Sequence, residues 1–140
     1  RGQMIVLDTN VVSELMNPEP DRQVQAWLSR REGDLLCLNA VAVSEIVFGL
    51  ERLPPGRRRS DLRAQFDAFA EALTVLPMDE AAAREAGRFR ALREREGLAD
   101  QPSDMMIAGI ASVAGADLAT RNVPDFEALP IVVLNPWTGA

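Results

Sequence analysis

Histidine and lysine are both missing from the 140 residues, and all 15 basic side chains are arginine. Without histidine there is no Ser-His or Cys-His nucleophile pair and no His-ligated zinc site. Without lysine there is no Schiff-base nucleophile and no P-loop lysine to reach a nucleotide phosphate. Tyrosine is absent too, and two Trp and five Phe leave little aromatic surface for stacking a sugar, which disfavours a glycosidase. The single cysteine, Cys37, cannot form an internal disulfide, so nothing points to an oxidising compartment and a cytoplasmic location is expected. No apolar run approaches the ~20 residues needed to cross a bilayer, and the start does not read as a signal peptide, so no membrane partner is expected.

What the chain does hold is acid: 21 Asp and Glu against a net charge of −6. Carboxylates act in pairs by themselves, or they hold hard cations such as Mg²⁺ and Mn²⁺. The negative balance opposes broad capture of nucleic acid, but a basic stripe beside a bound metal escapes that argument. The length is that of one domain able to bury roughly two-thirds of its unfolded surface. Arg1, Gly2 and Gln3 precede Met4, the expected native start, so one domain is expected over residues 4–140 with residues 1–3 outside it.

Local patterns predict alternating strands and helices. Met4-Ile5-Val6-Leu7 is a short apolar run of the kind buried in a parallel sheet, and Asp8-Thr9-Asn10 ends it with turn and cap residues. Helices are predicted over Val11–Met16, after the cap Asp21 with Val24, Trp27 and Leu28 inward, over Val41–Leu53, and from about Ser60 to Leu73. Further helices follow Asp79 as far as Gly97, and run from Pro102 to Gly115. The remaining strands fall at Leu35–Leu38, Val75–Leu76, Leu118–Thr120 and Ile131–Leu134. Such alternation implies right-handed crossovers and an α/β parallel sheet covered on both faces, whose sites lie beyond the carboxyl ends of the strands.

Acids fall at those ends. Asp8 follows the first strand, where it serves as a helix cap or as a ligand. Glu45 lies early in an apolar helix among Val41, Val43, Ile46 and Val47. It must reach solvent, find a partner or bind a cation, because an unpaired buried charge costs several kcal/mol. Asp104 stands in the first turn of a nearly all-apolar helix, where favourable placement in the helix dipole contributes only ~0.3–1 kcal/mol. Asn122 and Asp125 follow the fourth strand, as ordinary turn residues or as the completion of an acidic group. The convergence of these positions, more than any one of them, favours a function.

These positions are also where the sequence resembles the PIN-domain nucleases, and among them the FitB-like branch of the VapC toxins. Five landmarks in order carry the resemblance: residues 5–14 (Ile5-Val6-Leu7-Asp8-Thr9-Asn10 onward), 42–49 around Glu45, 103–108 around Asp104, Ala119-Thr120-Arg121-Asn122, and Asn135-Pro136-Trp137. Together they span nearly everything from Met4 to Trp137. The resemblance implies a three-layer α/β/α fold with a mostly parallel sheet of four to five strands. It implies a Mg²⁺- or Mn²⁺-dependent endoribonuclease, the toxin of a toxin–antitoxin pair, held silent by an antitoxin of the VapB or FitA kind and assembled as a homodimer. Asp8, Glu45 and Asp104 match the family's three core acids, with Asp8 and Asp104 as direct metal ligands. Asn122 stands where many members carry a fourth acid. On this reading a metal-activated water attacks the phosphodiester, and Glu45 orients or deprotonates it.

Arg121, beside the acidic edge, is the best-placed contact for a substrate phosphate. Arg57-Arg58-Arg59 and the helical set Arg84, Arg88 and Arg95 read either as phosphate contacts or as a solvated face among Glu85, Glu94 and Glu96. Val41, Phe48 and Leu53 lie off the main stripe of their helix, either buried within one chain or forming a dimer contact or partner groove. A phosphoaspartate protein, of the dehalogenase or receiver type, also sets an Asp after its first strand, but it relies on a lysine that is missing here. The alternative to a nuclease is a weakly active or inert module of the same fold that binds protein or RNA, with Asn122 as its mark.

Overall fold

The protein is described from a computed structural model over residues 2–139. Its elements in chain order are β1 (Met4–Leu7), α1 (Thr9–Leu15), α2 (Arg22–Ser29), β2 (Leu35–Asn39), α3 (Ala40–Glu51) and α4 (Arg57–Ala72). There follow β3 (Thr74–Leu76), α5 (Glu80–Arg95), α6 (Pro102–Ala114), β4 (Asp117–Ala119), a 3₁₀ turn over Val123–Phe126, and β5 (Val133–Leu134). α1, α2, α3 and α5 begin where a side chain satisfies free N–H groups. Asp21 accepts from the N–H of Gln23 and Val24, Asn39 from Ala42, and Asp79 from Ala82. α6 opens on Pro102 and closes on Gly115, which adopts the left-handed conformation that glycine enters without strain.

The strands form one sheet in the order β3-β2-β1-β4-β5, and every neighbouring pair is parallel. β1 lies at the centre with Ile5, Val6 and Leu7 fully buried, and successive side chains point to opposite faces. Ile5 and Leu7 join a core with Leu38 of β2 and with Val11, Trp27, Ile46 and Phe66, contributed by α1 to α4. Val6 faces the other way, into a core with Cys37, Phe89, Met105, Ile107 and Leu118 beneath α5 and α6. The expected three-layer α/β/α architecture is present, with a wholly parallel sheet of five strands.

Several boundaries differ from the sequence reading. β5 begins at Val133 and not at Ile131, because the chain is still bending after Pro130; pairing starts where the N–H of Leu118 donates to the carbonyl of Val132. α4 begins at Arg57, three residues before Ser60, since Gly56 takes the cap position and its carbonyl accepts from Ser60. On α4 only Phe66 is fully buried, while Leu62, Phe69, Ala70 and Leu73 are partly so. On α5, Arg93 is buried and Leu92 is half-buried, reversing the expected order. Of the three residues off the α3 stripe, Val41 packs into the second core, Leu53 into the first, and only Phe48 is strongly exposed, at 63%.

α5 and α6 approach closely at Gly109, where an added Cβ would lie 2.5 Å from the Ala82 carbonyl oxygen. Backbone cannot yield as a flexible side chain can, so Gly109→Ala is expected to destabilise the protein by about 1–3 kcal/mol. Urea unfolding measures this; a Gly109→Ala midpoint equal to or above wild type would show that the two helices separate freely.

Candidate active site

The chain leaves β1 toward β2 on one side, while β4 pairs with β1 on the other, so the crevice between β1 and β4 is a topological switch point. Asp8 stands at its mouth. Its N–H donates to the Ala119 carbonyl at 2.9 Å, continuing the pairing one residue past β1. The carboxylate is held on both oxygens. Oδ1 accepts from the N–H of Thr9 at 2.7 Å, and Oδ2 accepts from the Thr120 hydroxyl at 2.7 Å and from Asn10 Nδ2 at 3.3 Å. Asp8 is thus a helix cap, yet only 4% of it is exposed, deeper than a cap requires. Burial raises its pKa, the three hydrogen bonds oppose that rise, and the charge of Glu45 adds to it.

Asp104 reaches the same mouth from the first turn of α6. Burial pushes its pKa up to about 6, helped by the charges of Asp8, Asp125 and Glu45, and Arg93 pulls it back. Four carboxylates from α1, α3, α6 and the turn after β4 therefore share one electrostatic environment. Glu45 is exposed on α3 and accepts a hydrogen bond from the Thr9 hydroxyl, so it has found both solvent and a partner. Asn122 is exposed; its N–H donates to Thr120 Oγ1 at 3.0 Å, and Asp125 is the residue of that turn whose charge reaches Asp104. Among the described residues no three acidic or sulfur side chains are already gathered into a metal-binding group.

Three residues at the site are ones that the sequence did not single out as functional. Thr120 is fully buried; its hydroxyl donates to Asp8 and accepts from Asn122 and from Asn10 Nδ2 at 3.4 Å. Asn39, also fully buried, donates through Nδ2 to the Leu7 carbonyl at 2.9 Å and caps α3 through Oδ1 at 2.8 Å, tying the end of β2 to the end of β1. Arg93 is buried on α5, donates from Nε and Nη2 to the Ala99 carbonyl at 3.3 Å, and leaves Nη1 without a partner among the described residues. The last turn of a polar helix gave no hint that this arginine turns inward.

The basic sets resolve differently. Arg84 pairs with Glu80, Arg88 with Glu85, and Arg59 with Glu51, which makes them a solvated face. Arg58 lines a groove of about 290 Å³ together with Thr9, Ser13, Glu45, Gly49 and Leu62.

The description that matches this chain is that of the PIN domain, over residues 5–130. The chain belongs to the PIN-domain family. A relative named VapC ribonuclease Y4jK, from Sinorhizobium fredii, is 39% identical over 98% of this chain and 100% of its own length. Toxin FitB of Neisseria gonorrhoeae is 32% identical over 96% of this chain and 99% of its own length. In a crystal structure of FitAcB from Neisseria gonorrhoeae, a chain 31% identical superposes with a TM-score of 0.83, covering 96% of this chain and 99% of that one. The PIN-domain match takes in Asp8, Glu45, Asp104 and Asn122.

Two outcomes follow for this PIN domain. The folded-state pKa of Asp104 lies above its unfolded value of 3.8, so the folded protein binds more protons between about pH 4 and pH 6. The metal-free protein should therefore lose stability as pH rises through that window. Thermal unfolding in a chelator should show the decline in wild type and a flatter, higher curve for Asp104→Asn; identical curves would disprove the electrostatic coupling. Thr120→Val should lower activity about 10- to 100-fold, and it should cost about 1–3 kcal/mol of stability because the buried Asp8 carboxylate loses a donor. Full activity in that variant would show that Asp8 needs no such support.

Proposed function

We propose that this chain is a metal-dependent endoribonuclease and the toxin of a toxin–antitoxin pair, acting on RNA phosphodiester bonds. The observation that carries this reading is Asp8: a nearly buried carboxylate, held on both oxygens at the switch point, facing a second carboxyl whose pKa is pushed to about 6. So much unfavourable charge is more than a helix cap warrants, and a cation would relieve it. The relatives named as a ribonuclease and as a toxin support the same reading over almost the full chain.

The donor set suits a hard divalent ion, since it consists of oxygens alone and neither histidine nor a nearby thiolate competes. Asp8 and Asp104 would hold the ion, Mg²⁺ or Mn²⁺, with Asp125 and the amide of Asn122 at the open side of the cleft. When bound, that ion supplies Lewis-acid stabilisation of the negative charge developing on the phosphoryl oxygens and lowers the pKa of water. Glu45 takes the proton-handling role: exposed and steadied by the Thr9 hydroxyl, it orients the attacking water and accepts its proton. The Thr9 N–H and the Thr120 hydroxyl hold the Asp8 carboxylate in place. Arg121 contacts a substrate phosphate. The active unit is a domain over residues 4–140, cytoplasmic and homodimeric, restrained by an antitoxin of the VapB or FitA kind.

Purified protein should cleave single-stranded RNA when Mg²⁺ or Mn²⁺ is supplied and stop when it is chelated. Asp8→Asn should remove cleavage with the circular dichroism spectrum unchanged. Cleavage that survives Asp8→Asn would end this mechanism, and the absence of any metal-dependent cleavage by wild type would favour the inert binding module.

A further inference from the structure

The acids explain how a cation is held, and leave open how a chain of net charge −6 grips a polyanion. Six arginines are already paired with carboxylates: Arg31 with Asp34, Arg59 and Arg63 with Glu51, Arg84 with Glu80, Arg88 with Glu85, Arg90 with Asp100. Arg121 differs from all of these. It directly follows Thr120, the residue that donates to Asp8, and its own N–H donates to Asn10 Oδ1 at 3.1 Å. The other end of that Asn10 amide donates to Asp8 Oδ2, so one side chain fixes Arg121 relative to the central carboxylate. The Arg121 guanidinium lies 5.0 Å from the centroid of the Trp137 ring, and among the described residues no carboxylate pairs with it.

Trp137 is built to be a platform. It is half-buried against the first core, and its backbone N–H donates to Asn135 Oδ1 at 2.9 Å. A guanidinium set over an aromatic face keeps its N–H donors in its own plane, free for a phosphate, while the contact holds its otherwise mobile stem. We propose that Arg121, stacked on Trp137, is a preorganised phosphate clamp that receives the RNA backbone beside the bond that is cut. The clamp rests on the ribonuclease reading above. It reads phosphate and not base, so it contributes affinity and register without sequence preference. Arg121 is the binding group and Trp137 is a positioning residue that acts through it.

The test is steady-state cleavage of a fluorescent single-stranded RNA oligonucleotide with Mg²⁺, over a series of salt concentrations, for Arg121→Ala, Trp137→Leu, Trp137→Phe, the double variant Arg121→Ala/Trp137→Leu, and Arg22→Ala as a control for charge loss on an exposed helix. Arg121→Ala should raise KM about tenfold or more, as loss of a charged hydrogen bond does. It should also reduce the slope of log kcat/KM against log salt by about one. Trp137→Leu should raise KM about twofold to fivefold with the salt slope retained, since the charge remains but is no longer held. Trp137→Phe should recover most of that loss, and Trp137→Leu should add nothing once Arg121 is gone. Arg121→Ala indistinguishable from Arg22→Ala would overturn the clamp. So would a Trp137→Leu effect as large in the Arg121→Ala background as in wild type, since Trp137 would then be acting only on the fold. In either case wild type still cleaves, and the ribonuclease reading stands; a wild type that cleaves nothing removes both.

Discussion

The Asp8 carboxylate sits at 4% exposure between two strands, and the Thr120 hydroxyl reaches it from 112 residues away. Most of what is particular about this molecule depends on keeping that carboxylate in place. Burial disfavours its charge, and hydrogen bonds from Thr9, Thr120 and Asn10 favour it. The balance leaves an anion that is geometrically fixed yet electrostatically unsatisfied, which is the condition in which a carboxylate binds a cation firmly. β1 and β4 act as the rigid jaws of this arrangement because both are fully buried at their carboxyl ends, Leu7 and Ala119 included.

Around that carboxylate the protein separates two tasks. The interior of the crevice holds acids and neutral donors, while the cations lie outside it: Arg121 on Trp137, Arg58 beside the groove at Glu45, and Arg93 behind Asp104. Arginine suits the buried position 93 because its charge persists regardless of burial, whereas a buried lysine readily gives up its proton. Packing completes the separation. α6 contributes Asp104 on its first turn and then runs almost entirely buried through Met105, Ile107, Ala108, Ile110 and Ala111, so the acid is anchored by the core that follows it. Its close contact with α5 at Gly109 fixes the helix along its length.

Much of the architecture was legible in the residues. The apolar run at Met4–Leu7, the caps Asp21 and Asp79, and the Pro102 and Gly115 boundaries of the sixth helix all appear where local chemistry placed them. Asp8 also stands at the carboxyl edge of β1, because a residue that directly follows a strand necessarily lands there. The readings that shifted are those where a tertiary neighbour outweighs a local rule. Arg93 lies inside because its guanidinium meets the Ala99 carbonyl and the field of Asp104, while Leu92 gives way. Phe48 remains exposed although its helix is apolar all round, since α3 packs its Ala42, Ile46 and Leu50 stripe inward. Asn39 and Thr120 looked like ordinary strand-end residues, and their importance comes from partners that no local pattern names.

By itself the sequence determined the rhythm of strands and helices, the restriction to carboxylate chemistry, and the set of acids near the strand ends. Those properties follow from residue identity and from periodicities of two and 3.6 residues, which are local. The order β3-β2-β1-β4-β5 is global. It alone decided that the end of β4 lies beside the end of β1, so that Thr120 meets Asp8, Asn10 bridges to Arg121, and Asp104 and Asp125 feel the same field. Electrostatic interaction depends on distance in space and on the burial that lowers the local dielectric, and both are set only when the sheet is assembled.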